Sequence, residues 1–199
     1  MAEVFEFRGV DNLVFAEVLT DNEEEYTTGE VKSLAAVAEI GKTTESSSES
    51  HYYNNLPMVV VTATGPDEVT ITCAPPALAV LAEITGRTYD ETLGVMVEGE
   101  RAEKYFAIGY RTKGTDGKYR YVWRYKGKFG IPEETVTTEN DGTDTNNTEL
   151  VYTGISTTHK FTRGGNARAM VVDTRAGNAD VSAFFSEVVT PDTIQAKGA

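Results

Sequence analysis

Short stretches in which apolar and polar residues alternate recur along the chain, and they predict a protein built mainly of β-strands. The strands predicted outside the centre of the chain are residues 10–19, 58–64, 69–72, 149–157 and 167–173. A turn at Gly65-Pro66-Asp67 is predicted to separate two of them. The second half of residues 26–40 has a composition compatible with a helix, but the alternation in residues 31–40 favours a strand.

The centre of the chain predicts a β-hairpin. Residues 105–113 and 118–129 are joined by Gly114-Thr115-Asp116-Gly117, a sequence rich in turn-forming residues. Along the second strand aromatic and basic residues alternate, which places them on opposite faces. The aromatic set is Tyr119, Tyr121, Trp123 and Tyr125, and the basic set is Lys118, Arg120, Arg124 and Lys126. The aromatic face is expected in the core, with the basic face outward.

Two helices are predicted beside the strands. Residues 75–85 begin with proline and are followed by Gly86, as helix ends prefer, and one face is apolar enough to pack on a sheet. A short helix is predicted at residues 181–188, followed by a mobile tail at residues 190–199. The whole chain, residues 1–199, is interpreted as one domain.

Two segments lack a hydrophobic period and are predicted to be long polar loops. Residues 41–57 are rich in Ser, Thr and Glu, but they end in a part that contains Tyr52 and Tyr53. Loops of this length in a compact domain are usually functional or disordered, and the tyrosines favour a loop that is held in place by an assembly. Residues 135–148 form the second such segment.

Charge is distributed unevenly along the sequence. The net charge is −13, and residues 1–100 contain 19 acidic but only 4 basic residues. Residues 101–128 carry nine basic and two acidic residues. This asymmetry favours association between oppositely charged faces, so the basic face of the hairpin is predicted to meet an acidic face of a neighbouring copy. A solvated surface of mixed charge is the alternative.

The sequence offers little that indicates catalysis. Phosphate-binding glycine loops, nucleophile motifs and zinc motifs do not occur in it, and its single cysteine, Cys73, lies in a strand pattern that predicts a buried, inert thiol. We therefore expect a protein that is not an enzyme and needs no cofactor or metal. No apolar run approaches the length of a membrane-spanning helix, and the acidic N-terminus lacks a signal core, so folding in the cytoplasm is expected.

Several ordered blocks resemble the major tail tube proteins of long-tailed, non-contractile phages that infect Gram-positive bacteria. These blocks are Tyr26-Thr-Thr-Gly29, Tyr53-Asn-Asn55, Val69-Thr-Ile-Thr72, Ala82-Glu-Ile-Thr-Gly86, Ala107-Ile-Gly-Tyr110, Asp116-Gly-Lys-Tyr119, Tyr125-Lys-Gly-Lys-Phe129 and Pro132-Glu-Glu-Thr135. The resemblance extends over residues 8–160 and is weaker beyond them.

The resemblance implies a β-sandwich or barrel-like core with a flanking helix, the tail-tube fold. It also implies that six copies form a ring and that rings stack into a tube around the tape-measure protein, capped by tail-end proteins. Such a tube is assembled in the host cytoplasm, belongs to the virion tail, and conducts DNA through an acidic lumen during ejection without binding it specifically.

The residue pattern and the resemblance together indicate which residues are expected at subunit contacts. The loop at residues 41–57 would bridge neighbouring subunits through Tyr52, Tyr53, Asn54 and Asn55, and the basic strand would contribute Arg120, Arg124 and Lys126. The alternative is a monomeric β-sandwich or OB-like module that binds single-stranded nucleic acid or carbohydrate through Trp123 and nearby tyrosines.

Overall fold

The computed structural model describes residues 4–133 and 147–198, and within these ranges the chain forms eleven strands and one helix. The strands are β1 Phe7–Asp21, β2 Tyr26–Thr28, β3 Lys32–Ser33, β4 Val37–Tyr53, β5 Leu56–Cys73, β6 Thr88–Asp90, β7 Val95–Val97, β8 Phe106–Gly114, β9 Tyr119–Phe129, β10 Thr148–Ile155 and β11 Ala169–Asp173. The helix is α1 Leu78–Thr85. The prediction of a mainly β protein is confirmed.

Nine strands belong to one antiparallel sheet with the order β2-β1-β8-β9-β10-β5-β4. In addition, β3 pairs with β1 and β11 pairs with β9, while β6 and β7 form a separate two-stranded sheet. The sheet is curved. β3 pairs with β1, near one end of the strand order, and the chain then continues through Leu34 into β4, the strand at the other end of that order. The backbone N–H of Leu34 donates to the carbonyl of Leu13 at 3.0 Å, which brings the two ends together.

Apolar side chains pack on both faces of the β8–β9 hairpin. The inner core lies on the concave side and includes Phe15, Ile71, Ile108, Leu150 and Tyr152, with Ile84 of α1. The outer core lies on the other face and includes Ala107, Tyr121, Trp123, Tyr125, Phe161, Phe184 and Val189. The predicted hairpin is confirmed, and so is the burial of its aromatic face.

The helix predicted at residues 75–85 is confirmed, although it begins at Leu78, after the two prolines. It ends at Gly86, which adopts a left-handed conformation with φ of 69° and donates its N–H to the carbonyl of Glu83. A Cβ atom at this position would lie 2.1 Å from the carbonyl oxygen of Ala102. Glycine is therefore required here both for the backbone conformation and for the close approach of the next segment.

The predicted C-terminal helix at residues 181–188 is wrong, because these residues form a series of turns. Their backbone hydrogen bonds are those of turns, from Phe184 N–H to the Val181 carbonyl and from Ser186 N–H to the Ala183 carbonyl. The carbonyl of Phe184 accepts a hydrogen bond from Trp123 Nε1 at 2.8 Å. Residues 190–198, most of the segment predicted as a mobile tail, make contacts with the body of the protein. The carboxylate of Asp192 accepts hydrogen bonds from the backbone N–H groups of Thr162 and Arg163, and Ile194 packs against the outer core.

The two predicted polar loops have different outcomes. Residues 41–57 are not a loop, because residues 41–53 belong to β4 and the rest form a tight turn and the start of β5. A strand with solvent on both faces has no hydrophobic period, and periodicity alone therefore misses it. The loop predicted at residues 135–148 lies almost entirely outside the described residues, and Thr148 begins β10. Within the described ranges, no helix is both long and apolar enough to cross a bilayer.

Candidate interaction surface

The distal halves of β4 and β5 form a hairpin that stands apart from both cores. We call residues 46–64 the arm. Its strands pair from Ser46 opposite Thr64 to Tyr53 opposite Leu56, and every residue in it is exposed. The rest of β5, from Asp67 to Cys73, pairs with β10 as well as β4 and places alternate side chains in the protein interior. The arm is therefore a two-stranded extension of a larger sheet.

The arm ends in a two-residue turn made by Asn54 and Asn55. Both have positive φ, 50° and 64°, as a type I′ hairpin turn requires. Asparagine is among the few residues other than glycine that tolerate this conformation. The Asn-Asn pair is thus the sequence signal that could have identified the hairpin.

A β-bulge marks the base of the arm. Glu45 of β4 lies opposite two residues of β5, Gly65 and Pro66, and the register shifts by one residue at this point. Proline has no N–H to donate, and a bulge is one of the few places where a strand accommodates it. The turn predicted at residues 65–67 is therefore wrong, because β5 continues through the bulge into the arm.

A buried carboxylate anchors the strand directly after the bulge. The side chain of Asp67 accepts hydrogen bonds from Thr44 Oγ1 at 2.7 Å, Arg124 Nη1 at 2.9 Å and Arg168 Nη1 at 3.1 Å. Burial alone would raise the pKa of Asp67, but the hydrogen bonds from Thr44 and Arg168, with the charges of Lys42 and Arg124, hold it below its ordinary value. The point at which the arm leaves the body is therefore fixed by a charged network.

The arm exposes an unusual number of large apolar side chains for a solvent-facing hairpin. Their exposed fractions range from 47% to 65%, and the residues are Tyr52, Tyr53, Leu56, Met58, Val59, Val60 and Val61. Three valines in succession place apolar side chains on both faces of the arm, because successive strand residues point in opposite directions. Neither face is covered by the described part of the chain.

The predicted contact residues fall into two groups in the structure. Tyr52, Tyr53, Asn54 and Asn55 lie together at the tip of the arm. The three basic residues lie in β9 of the body, and each forms an ion pair within the chain: Arg120 with Asp173 at 3.0 Å, Arg124 with Asp67 at 2.9 Å, and Lys126 with Asp21 at 2.5 Å.

The prediction that the basic face points outward is wrong for Arg124, which is only 7% exposed. The carboxylate of Asp21 accepts hydrogen bonds from the backbone N–H groups of Thr158 and His159 as well as from Lys126. Burial raises the pKa of Asp21, but these donors outweigh it, so that the pKa lies below the ordinary aspartate value. Much of the positive charge of the hairpin is thus neutralised by acids of the same chain.

The aromatic residues in the middle of β9 are buried and not available for stacking on a ligand, whereas Tyr119 at its start is half-buried. Trp123 has no exposed surface, and Tyr125 is equally buried, with its hydroxyl donating to the carbonyl of Val189 at 3.1 Å. The interpretation of Cys73 as a buried thiol is confirmed, and its burial raises the pKa of the thiol. Among the described residues, no three His, Cys, Asp or Glu side chains are grouped so as to hold a metal ion.

No protein-family model matches the sequence, and a search of curated proteins finds no relative. The arm, with its exposed apolar side chains and its anchored base, is the surface most in need of a functional explanation. The sequence indicates the tip of the arm but not its apolar strand, residues 56–61, because its pattern predicts a loop up to residue 57 and a separate strand from residue 58.

Proposed function

We propose that the protein is a structural virion subunit that assembles into hexameric rings, which stack into the tail tube of a long-tailed phage. The observation that carries this proposal is the arm, an exposed hairpin whose apolar side chains have no partner in the described part of the chain. The mainly β fold, with its large curved antiparallel sheet and the one helix found in the described ranges, is compatible with the barrel-like core of the tail-tube fold.

An exposed two-stranded hairpin with apolar side chains is unfavourable in a protein that works as a monomer. Two strands alone are marginally stable in water, and their outer edges offer unpaired N–H and C=O groups to other chains. Association would bury the seven large apolar side chains and pair these edges. The gain is about 25 cal/mol for each Å² of apolar surface removed from water, before the entropy lost on association is subtracted.

The single arm also favours a closed or repeating assembly over a simple dimer. An arm that docks on a different surface of its neighbour makes a heterologous contact, and repeated heterologous contacts generate rings or filaments. Six copies per ring, the tape-measure protein in the lumen and the tail-end proteins at its ends are taken from the resemblance in sequence.

The charge of the protein supports a role as a conduit for DNA during ejection. Several basic residues of the hairpin are paired within the chain, while the net charge remains −13. A tube wall with excess negative charge repels the phosphate backbone and lets DNA pass without adhering. The site of action would be the virion tail, after assembly in the host cytoplasm.

The proposal is tested by following the purified protein over a wide range of concentration by analytical ultracentrifugation and negative-stain electron microscopy. We expect rings or tubes to appear as concentration rises. The matched control is an arm-shortened variant, in which Ser46 and Thr64 are joined directly by Asn-Gly, because these two residues already face each other across the hairpin. This variant should fold normally and remain monomeric.

A wild-type protein that stays monomeric at every concentration would overturn the proposal. Retention of single-stranded DNA or of a glycan by that monomer would favour the alternative of a binding module. Because Trp123 is buried, such a ligand would have to bind elsewhere than on the aromatic face of β9.

A further inference from the structure

The outer edge of β11 has backbone groups without partners. Among the described strands, β11 pairs with β9 alone. The hydrogen bonds from Tyr125 N–H to the Arg168 carbonyl and from Thr174 N–H to the Tyr119 carbonyl fix which residues of β11 face β9. Even-numbered residues of β11 point their backbone groups toward β9, so those of Ala169 and Val171 point away from it. These groups make no hydrogen bond with the part of the chain that the structure describes.

A shallow groove follows this edge. It has a volume of about 570 Å³, and its lining combines apolar side chains with two arginines: Arg163, Gly164, Asn166, Ala167, Arg168, Ala169, Met170, Val171 and Pro191. Val171 is 56% exposed although it is a large apolar residue in the middle of a strand. Arg168 is already paired with Asp67, whereas Arg163 forms no ion pair with any described residue. An open strand edge, an exposed valine and a guanidinium without an ion-pair partner among the described residues therefore occur together.

The arm has the matching features. Residues 56–64 of β5 pair with β4 on one side and, among the described strands, have no neighbour on the other. Their sequence is Leu56-Pro-Met-Val-Val-Val-Thr-Ala-Thr64, mostly β-branched and apolar, and the arm contains Glu49 but no lysine or arginine. A strand of nine residues extends about 30 Å, which is longer than the five-residue edge of β11 requires.

Within one molecule, the arm and β11 diverge from a common point. Arg168, directly before β11, donates from Nη1 to the carbonyl of Gly65 at 2.8 Å and to Asp67 at 3.1 Å. Beyond this point the arm and β11 share no backbone hydrogen bond. The bulge at Gly65 and Pro66 bends β5 at the place where the two separate, since a bulged strand turns out of its original direction.

We propose that the edge of β11 receives the arm of a second copy of this chain, which adds a strand to the sheet beside Ala169 and Val171. The inference rests on the proposed function, because it identifies the surface on which the arm docks during assembly. Main-chain hydrogen bonds would supply the pairing, apolar contact with Val171 would remove exposed surface, and Glu49 would approach Arg163. The contact joins two different surfaces, as a ring requires.

The inference is tested with Val171→Pro. The N–H of Val171 points away from β9, so proline removes the donor offered to a neighbour without removing a bond of the β9–β11 ladder. Val171→Ala is the matched control, because it keeps the N–H. We expect V171P to lose ring and tube formation and V171A to keep them. Assembly of V171P like the wild type, with an unchanged melting temperature, would overturn the inference.

Mixing two defective chains separates this inference from the proposed function. The V171P chain has an arm but a blocked edge, and the arm-shortened chain has a free edge but no arm. We expect each alone to be monomeric and the mixture to form a one-to-one heterodimer. A heterodimer without any wild-type tubes would support the docking surface and reject the tube, whereas wild-type tubes with no heterodimer would reject the docking surface alone.

A second measurement covers the case in which V171P fails to fold. Hydrogen exchange of the wild-type protein is followed at the amides of Ala169 and Val171 before and after assembly. Both amides should exchange rapidly in the monomer and become protected in the assembly. Rapid exchange in assembled tubes would overturn the inference.

Discussion

Two hairpins of similar construction have opposite surroundings in this protein. The β8–β9 hairpin turns at residues 114–117 and is packed on both faces, by the inner core on one side and the outer core on the other. The arm turns at Asn54 and Asn55 and is exposed on both faces. Both have the backbone pairing of an antiparallel ladder, and they differ in what covers their side chains.

This difference separates two sources of hairpin stability. A fully buried apolar side chain contributes about 1.5–3 kcal/mol, whereas a cross-strand pair on an exposed hairpin contributes about 0.2–1 kcal/mol. The β8–β9 hairpin has both contributions within the chain. The arm is stabilised mainly by cross-strand pairs. Its order therefore depends on its anchored base and, in our proposal, on a neighbouring copy.

The largest effect on folding is expected where the arm joins the body. Asp67→Ala removes the acceptor of the buried Arg124 and should lower the free energy of unfolding by roughly 3–5 kcal/mol. Asp11→Ala is the matched control, because it breaks the Asp11–Arg111 pair on the surface and should lower it by less than about 1 kcal/mol. Urea denaturation measures both. Equal losses would show that the anchor at the base has no special role.

A smaller and more direct contrast compares one substitution in the two hairpins. Val122 is buried in β9 and Val60 is exposed in the arm. Val122→Ala should lower the free energy of unfolding of the monomer by about 2 kcal/mol, while Val60→Ala should change it by less than about 0.5 kcal/mol. Val60→Ala should instead weaken assembly. A large loss of monomer stability on Val60→Ala would mean that the arm is packed against the body.

The prediction of this protein from its sequence was most successful where side chains are buried. Alternation in residues 118–129 indicates the strand and the burial of Trp123, because one face of that strand meets a core. The turn before it is indicated by the composition of residues 114–117. Periodicity failed in residues 41–57, since neither face of the arm is buried and its polar and apolar residues follow no period. Only the Asn54-Asn55 pair carried a local signal there, through its backbone conformation.

The ion-pair partners of the basic residues in β9 could not be predicted from the sequence either. The basic residues of β9 were correctly placed on a strand, but their acids are distant in sequence: Asp67 is 57 residues from Arg124, and Asp21 is 105 residues from Lys126. Only the folded sheet brings these residues together. The C-terminal segment is predicted as a helix and a mobile tail, whereas two of its carbonyls accept hydrogen bonds from Trp123 and Tyr125, which no local pattern reveals.

Acid should affect the body rather than the arm. The pKa of Asp21 and that of Asp67 are lowered in the folded protein, so their stabilisation is complete above the unfolded pKa of about 3.9 and is lost as the pH falls through the folded values. We expect the urea midpoint to fall in this acidic range, equally in wild type and in the arm-shortened variant. Asp21→Asn should flatten the profile. If the urea midpoint of Asp21→Asn fell with pH as steeply as that of the wild type, Asp21 would not be a cause of the acid sensitivity.

The smallest effect is expected at the tip of the arm. Asn55 has a φ of 64°, which a β-branched residue adopts only at a cost of about 1–2 kcal/mol. Asn55→Val should therefore increase the exchange rates of arm amides while leaving the global urea midpoint unchanged, and Asn55→Gly should leave both unchanged. A shift of the global midpoint in Asn55→Val would indicate that the arm and the body unfold together.

Hydrogen exchange as a function of protein concentration tests most directly whether the arm is an assembly element. Amides of β8 and β9 should be protected at every concentration, because both faces of that hairpin are buried within one chain. Amides of residues 46–64 should exchange rapidly in dilute monomer and become protected as rings and tubes form. Protection of the arm in the dilute monomer, or rapid exchange of the arm within assembled tubes, would contradict this role.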